Sequence, residues 1–127
     1  MKRVLIIEDE EMVRSVLRSI LEEAGYEVEE LPNGINASSA QENNPFDVVI
    51  LDILMPEKDG FEIIQEFKVK WPSLPLIAIS GGGVYSPHDC LRLAKSFGAN
   101  RNFVKPIERD ELLYAIKELL GELPVKN

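Results

Sequence analysis

The sequence predicts an α/β domain built on an open parallel sheet with helices on both faces. Short, continuously apolar runs recur along the chain, and helical patterns separate them from end to end. Four of these runs stop at a residue able to hold a phosphate or a divalent metal. Val4-Leu5-Ile6-Ile7 leads into Glu8 and Asp9, and Val48-Val49-Ile50-Leu51 into Asp52. Leu76-Ile77-Ala78-Ile79 leads into Ser80, and Phe103-Val104 into Lys105-Pro106. Apolar runs of this length, alternating with helices, are the pattern of parallel strands buried on both faces. Open α/β sheets bind ligands just beyond the carboxyl ends of their strands. Three carboxylates, a hydroxyl and an ammonium are therefore expected on one rim, a collection suited to phosphoryl chemistry.

The elements follow in order. After the first strand, Met12, Val13, Val16, Leu17, Ile20 and Leu21 recur at helical spacing, and Gly25 stands where a helix-terminating glycine belongs. Tyr26 to Leu31 alternates apolar with acidic residues, as a half-exposed edge strand does. Pro32-Asn33-Gly34 is a turn, and Ile35 to Asn43 a weaker helix with small residues facing inward. The third strand spans Phe46 to Asp52, a loop covers Met55 to Gly60, and Phe61, Ile64 and Phe67 open a helix that Pro72 closes. The fourth strand, Leu76 to Ser80, runs into a glycine-rich loop from Gly81 to Pro87. A helix carrying Leu91, Leu93, Ala94 and Phe97 follows, then a fifth strand from Asn102 to Val104. The last helix sets Leu112, Leu113, Ile116, Leu119 and Leu120 on one stripe, with Glu108, Asp110 and Glu111 at its positive N-terminal end. Five β-α units are too few for a barrel of eight, and right-handed crossovers leave the flavodoxin-like strand order 2-1-3-4-5.

Bulk properties narrow the function. The 127 residues fit one domain with a real core. A net charge of −8 without a basic stripe argues against direct nucleic-acid binding. No apolar stretch approaches the roughly 20 residues of a membrane span. The single cysteine, Cys90, rules out an internal disulfide framework and suits the reducing cytoplasm, the expected location. One histidine, His88, cannot build a multi-histidine metal site, so a metal here would be oxygen-bound.

In the order 2-1-3-4-5, Asp9 and Asp52 end neighbouring strands about 5 Å apart, and Lys105 starts roughly 10 Å from Asp52, a gap a lysine side chain largely spans. Three carboxylates against one ammonium leave about two negative charges uncompensated, which suits one divalent ion; with hard oxygen donors only, magnesium is the natural choice. Asp52 can then serve as a nucleophile toward phosphorus. Lys105 would offset charge on the transferred group, and Ser80 would donate a hydrogen bond to it. Singly, each of these residues would read as a cap, a turn former or a solvated strand end. Their common position at the ends of successive strands is what makes a site.

With the residues in this arrangement, the chain resembles the response-regulator receiver domains of bacterial two-component signalling. Glu8-Asp9-Glu10 with Arg14 resembles the family's acidic N-terminal motif. Leu51-Asp52-Ile53-Leu54-Met55-Pro56, continuing to Asp59-Gly60, resembles its phosphoacceptor segment, with Ser80 at the hydroxyl position and Lys105-Pro106 as the lysine–proline motif. The likeness runs from Val4 to about Leu120. It implies a receiver over residues 1–121, a short tail over 122–127 and no output domain.

It implies further that Asp52 accepts a phosphoryl group from a phosphohistidine on a sensor histidine kinase or histidine phosphotransfer domain. Glu8, Asp9, Asp52 and the backbone carbonyl of Leu54 would place the magnesium, and the peptide before Pro106 would be cis. The product would be an aspartyl-phosphate switch that signals through a downstream protein, as a monomer or a phosphorylation-dependent dimer, rather than a turnover enzyme. Asn102 departs from the family pattern, which often has Tyr or Phe there; Phe103, one place later, is expected to point into the core. The segment from Ser80 to Lys105 also runs a few residues long. These features predict a shallower switch. Two other identities remain alternatives to a stand-alone receiver: a receiver excised from a longer hybrid kinase or regulator, and an aspartate-nucleophile phosphatase. The phosphatase pattern of Asp-x-Asp after the first strand is missing, since Glu8-Asp9-Glu10 stands there. A flavin module on the same sheet is disfavoured because the acidic rim would repel a flavin phosphate.

Overall fold

The structure, a computed structural model, describes residues 1–54, 60–81 and 87–123, without the side chains of Pro87, His88, Cys90 and Leu91. The expected loop at 55–59, the glycine loop from 82 to 86 and the tail from 124 lie outside the described residues, as do the side-chain readings made for His88 and Cys90.

Strands and helices alternate as β1 (Arg3–Ile7), α1 (Glu11–Glu23), β2 (Glu27–Leu31), α2 (Ala37–Asn43), β3 (Val48–Asp52), α3 (Gly60–Lys70), β4 (Leu76–Ser80), α4 (Pro87–Phe97), β5 (Arg101–Val104) and α5 (Arg109–Leu119). The strands form one parallel sheet in the order β2-β1-β3-β4-β5, the expected doubly wound arrangement. β3 and β4 are buried along their whole length, which is why they are apolar without alternation.

The two faces of the sheet carry separate cores. Val4, Ile6, Val48, Ile50, Ile77 and Ile79 pack with Leu17 and Leu21 of α1 and Leu112 and Ile116 of α5. Leu5, Ile7, Val49, Leu51, Leu76 and Ala78 pack with Ala37 of α2, Ile63, Ile64 and Phe67 of α3 and Ala94 of α4. Side chains alternate between faces along each strand, so a residue's parity decides which core it joins.

Helix ends follow the chemistry of their residues. Gly25, at φ 94°, closes α1 in a region side chains avoid: its N–H bonds the Glu22 carbonyl at 3.0 Å, and the Tyr26 N–H bonds that of Leu21 at 3.1 Å. α5 opens on Glu108, whose carboxylate accepts from the Glu111 N–H at 2.8 Å.

Some expectations change. α2 begins at Ala37 rather than Ile35, because Asn33 Oδ1 takes the Ile35 N–H at 2.9 Å in a turn and leaves Ile35 exposed. On α1 only Leu17 and Leu21 are buried, while Met12 and Val16 lie 79% and 53% exposed. One residue turns a helix about 100°, so Val16 beside buried Leu17 falls on the flank. On α4, Leu93 and Phe97 are likewise exposed around buried Ala94; Phe97 meets Phe61 edge-on at 5.5 Å between ring centroids.

α3 enters the sheet by an unusually close approach at Gly60. Its N–H bonds the Ile53 carbonyl at 2.8 Å, and a Cβ there would lie 2.6 Å from Ile53 Cα and 2.7 Å from the Asp52 carbonyl oxygen. Both obstacles are backbone, so the strand end itself would have to move. Gly60→Ala is expected to destabilise the domain by about 2 kcal/mol, as overpacking does. A urea melt whose midpoint is unchanged would show that the strand end yields freely.

Candidate functional site

Three side chains meet at the carboxyl edge because their strands give them the same parity. Glu8 follows Val4 and Ile6, Asp52 follows Val48 and Ile50, and Lys105 follows Phe103. The ladder continues one residue past two strand ends: the Glu8 N–H bonds the Leu31 carbonyl at 3.1 Å, and the Lys105 N–H bonds the Ser80 carbonyl at 2.9 Å. These bonds aim Glu8 and Lys105 toward β3 between them.

Lys105 Nζ lies 2.8 Å from Glu8 Oε2, 3.1 Å from Asp52 Oδ2 and 3.4 Å from Glu10 Oε1. Glu8 is fully buried and Asp52 nearly so, whereas Glu10 reaches out from the rim. Burial raises the Glu8 carboxyl to about 7, with Lys105 opposing the rise and the Asp52 charge adding to it. Burial also raises Asp52, again against Lys105. For Lys105, burial alone would pull the ammonium down. Its contacts with Glu8 and Asp52 more than offset that and hold it above the usual lysine range.

The remaining predicted residues take their places around this trio. Asp9 and Glu10 stand on the loop before α1, pinned by Arg14, whose Nη1 donates to the Glu8 carbonyl at 2.8 Å and the Asp9 carbonyl at 3.3 Å. The Leu54 N–H donates to Asp52 Oδ1 at 3.2 Å. Asp9, Glu10, Asp52, Leu54, Gly81 and Lys105 line a cleft of about 500 Å³. Gly81 lets the lysine through: a Cβ there would lie 2.7 Å from Lys105 Cδ. The Lys105–Pro106 peptide is cis, as expected.

Ser80 is fully buried, on the opposite parity with Leu76 and Ala78, and its Oγ has no hydrogen-bond partner among the described residues. Asn102 pairs with Ala78 in the register, so it shares that face; its Oδ1 is buried and equally unpartnered there. Phe103 packs on the α1/α5 core, as expected. Sequence reasoning quoted Glu10 without giving it a role; its contact with Lys105 comes from two long side chains, which residue spacing does not encode.

The chain belongs to the family of response regulator receiver domains, whose sequence model matches residues 4–117. Among curated relatives it is 32% identical over 125 residues to the transcriptional regulatory protein RprY of Bacteroides fragilis (strain YCH46), covering 98% of this chain and 52% of that protein. The chain thus spans about half that relative's length. It is 29% identical over 126 residues to sporulation initiation phosphotransferase F of Bacillus subtilis (strain 168), covering 99% of this chain and 97% of that one. In three dimensions it is similar to a CheY-like response regulator receiver domain protein from Methanospirillum hungatei JF-1, with a TM-score of 0.86, 30% identity and coverage of 96% and 95%.

The raised Glu8 carboxyl has a signed consequence for stability. The unfolded chain loses this proton near 4.5, while the folded chain keeps it to about 7. Between these values the folded state binds more protons, so stability falls as pH rises and the cost is complete above 7. Without divalent metal, the domain is expected to lose up to about 3 kcal/mol from pH 5 to pH 8. Glu8→Gln should flatten this slope. Urea melts at both pH values check it, and a parent protein equally stable at pH 8 would contradict the expectation.

Proposed function

We propose that Asp52 accepts a phosphoryl group from a phosphohistidine on a sensor histidine kinase or histidine phosphotransfer protein, and that the domain signals through protein contacts. The observation that carries this reading is the Lys105 ammonium held 3.1 Å from a buried Asp52 carboxylate at the cleft floor. As Asp52 Oδ attacks phosphorus, the phosphorus–nitrogen bond breaks and the donor imidazole leaves with the electron pair. Asp52 becomes an acyl phosphate, and Lys105 is placed to offset charge on the phosphoryl oxygens. The Ser80 hydroxyl, without a partner among the described residues, would turn toward the same group. One phosphoryl per chain is the whole reaction, so the domain acts as a switch rather than a turnover enzyme.

The residues fit a resident magnesium ion. Every candidate donor is a hard oxygen, and Glu8, Asp9 and Glu10 each offer one within 4.8 Å of the others. Glu8, Asp9, Asp52 and the Leu54 carbonyl would hold the ion, which when bound supplies further positive charge to the phosphoryl oxygens.

Val13 of α1 lines the cleft, and Met12 and Val16 of the same helix are exposed, which supports docking of the phosphodonor on the rim and first helix. A relative of the same length named a phosphotransferase supports a relay role. No helix of the described residues is long and apolar enough to cross a membrane, and a cytoplasmic setting fits the single cysteine.

Incubation with magnesium and acetyl phosphate is expected to add one phosphoryl mass, labile to hydroxylamine. Asp52→Asn should abolish it. A labile mass retained by that variant would move the acceptor elsewhere.

A further inference from the structure

Among the described residues, Glu10 is the one member of the Lys105 cluster that faces solvent. Its side chain is 63% exposed, against 5% for Asp52 and none for Glu8. It also lines the cleft, and with Lys105 it ties the loop before α1 to the end of β5 across the opening. The contacts of Lys105 with Asp52 and Glu10, laid end to end, put the two carboxylates no more than about 6.5 Å apart. A phosphoryl group reaching Asp52 through this cleft therefore comes close to a negative charge. It would also compete with that charge for Lys105, which contacts both carboxylates.

We propose that Glu10 is a charge filter at the mouth of the acceptor site. It slows transfer from free anionic phosphodonors and favours a donor protein that brings its own cationic side chain to the rim. This rests on Asp52 being the acceptor. Asp52 and Glu8 are buried against the ammonium, away from the mouth, so neither is the first charge an incoming donor meets. Glu10 lies on the approach path, and the chain's net charge of −8 provides a background of the same sign. Glu10 does not bond to phosphorus; it is a positioning and specificity residue that acts through the field at the mouth and through its hold on Lys105.

Two small donors of different charge test it. Acetyl phosphate is a dianion that loses acetate as the bond from Asp52 oxygen to phosphorus forms. Phosphoramidate is a monoanion that loses ammonia in the same step. Rate constants for labelling Asp52 are measured with saturating magnesium for the parent, Glu10→Gln and Glu10→Asp. One unit charge removed about 6.5 Å from the reacting group, screened as in water, changes a rate about threefold per unit of donor charge. Glu10→Gln is thus expected to speed acetyl phosphate about tenfold and phosphoramidate about threefold at low salt. At 0.5 M salt both gains should shrink to about twofold or less.

Glu10→Asp, which keeps the charge, should stay near the parent. A donor-charge ratio of this kind is not moved by a change in folding stability. Equal gains for both donors, no gain, or a gain that survives high salt would overturn the filter. So would an aspartate variant as fast as Glu10→Gln, or weaker magnesium binding in Glu10→Gln, which would make Glu10 a metal ligand. If the parent takes no phosphoryl group from either donor, the acceptor reading itself fails, and that result is distinct from all of these.

Discussion

The site rests on one ammonium. Glu8 and Asp52 both have buried carboxylates, and each is driven toward its protonated form by loss of water. Two such groups side by side would repel each other and share a proton unless a cation stood between them. Lys105 Nζ stands there, within 3.1 Å of both. It reaches the spot from β5, two strands away from β3, because its stem runs over Gly81, where any side chain would obstruct it. Arg14 anchors the opposite wall through two backbone carbonyls rather than through the acidic side chains. Arg14 thereby leaves the carboxylates of that loop to Lys105 and to any metal ion.

The alternation of the strands separates the chemistry into two compartments. The charged groups Glu8, Asp52 and Lys105 share the parity of the α1/α5 core. The uncharged polar groups Ser80 and Asn102 share the parity of the α2/α3/α4 core. The charged cluster and the uncharged polar pair therefore lie on opposite faces, joined at the rim where Asp52 ends its strand. A one-residue slip of β5 would exchange Lys105 for a neighbour of the wrong parity, so the Lys105–Asp52 contact depends on the register of this short edge strand.

Much of this was legible in the sequence. The apolar runs gave the strands, the order followed from topology rules, and the strand-end residues proved to be neighbours in space. Less legible was the division between Glu8 and Asp9: they are adjacent and chemically alike, yet one is fully buried and the other exposed. Parity decides that, but only once the strand is known to continue one residue past its apolar run. The exposure of Met12 and Val16 was also hidden, since helical spacing marks a stripe without saying how much of its width the sheet can cover. Glu10's contact with Lys105 depends on the rotamers of two long side chains, which leave no periodic trace.

Asn102 brings these threads together. Read from sequence, an amide at this position gains little by moving inward, where an aromatic ring would bury a large apolar area. In the structure the carbonyl end of the amide is already inside, and no donor among the described residues meets it. A buried acceptor left unpaired costs about 1–3 kcal/mol. In a two-state switch that cost would fall on the conformation described here, whereas a ring would reward the other. Ser80 Oγ, on the same face and two residues along the neighbouring strand from Asn102's partner Ala78, has no partner among the described residues either. Any rearrangement that gives either atom a partner recovers part of this cost. On the reading proposed above, the polar pair would narrow the free-energy gap between the two states by raising the lower one, and such a switch would need less from the phosphoryl group than one that must seat a ring.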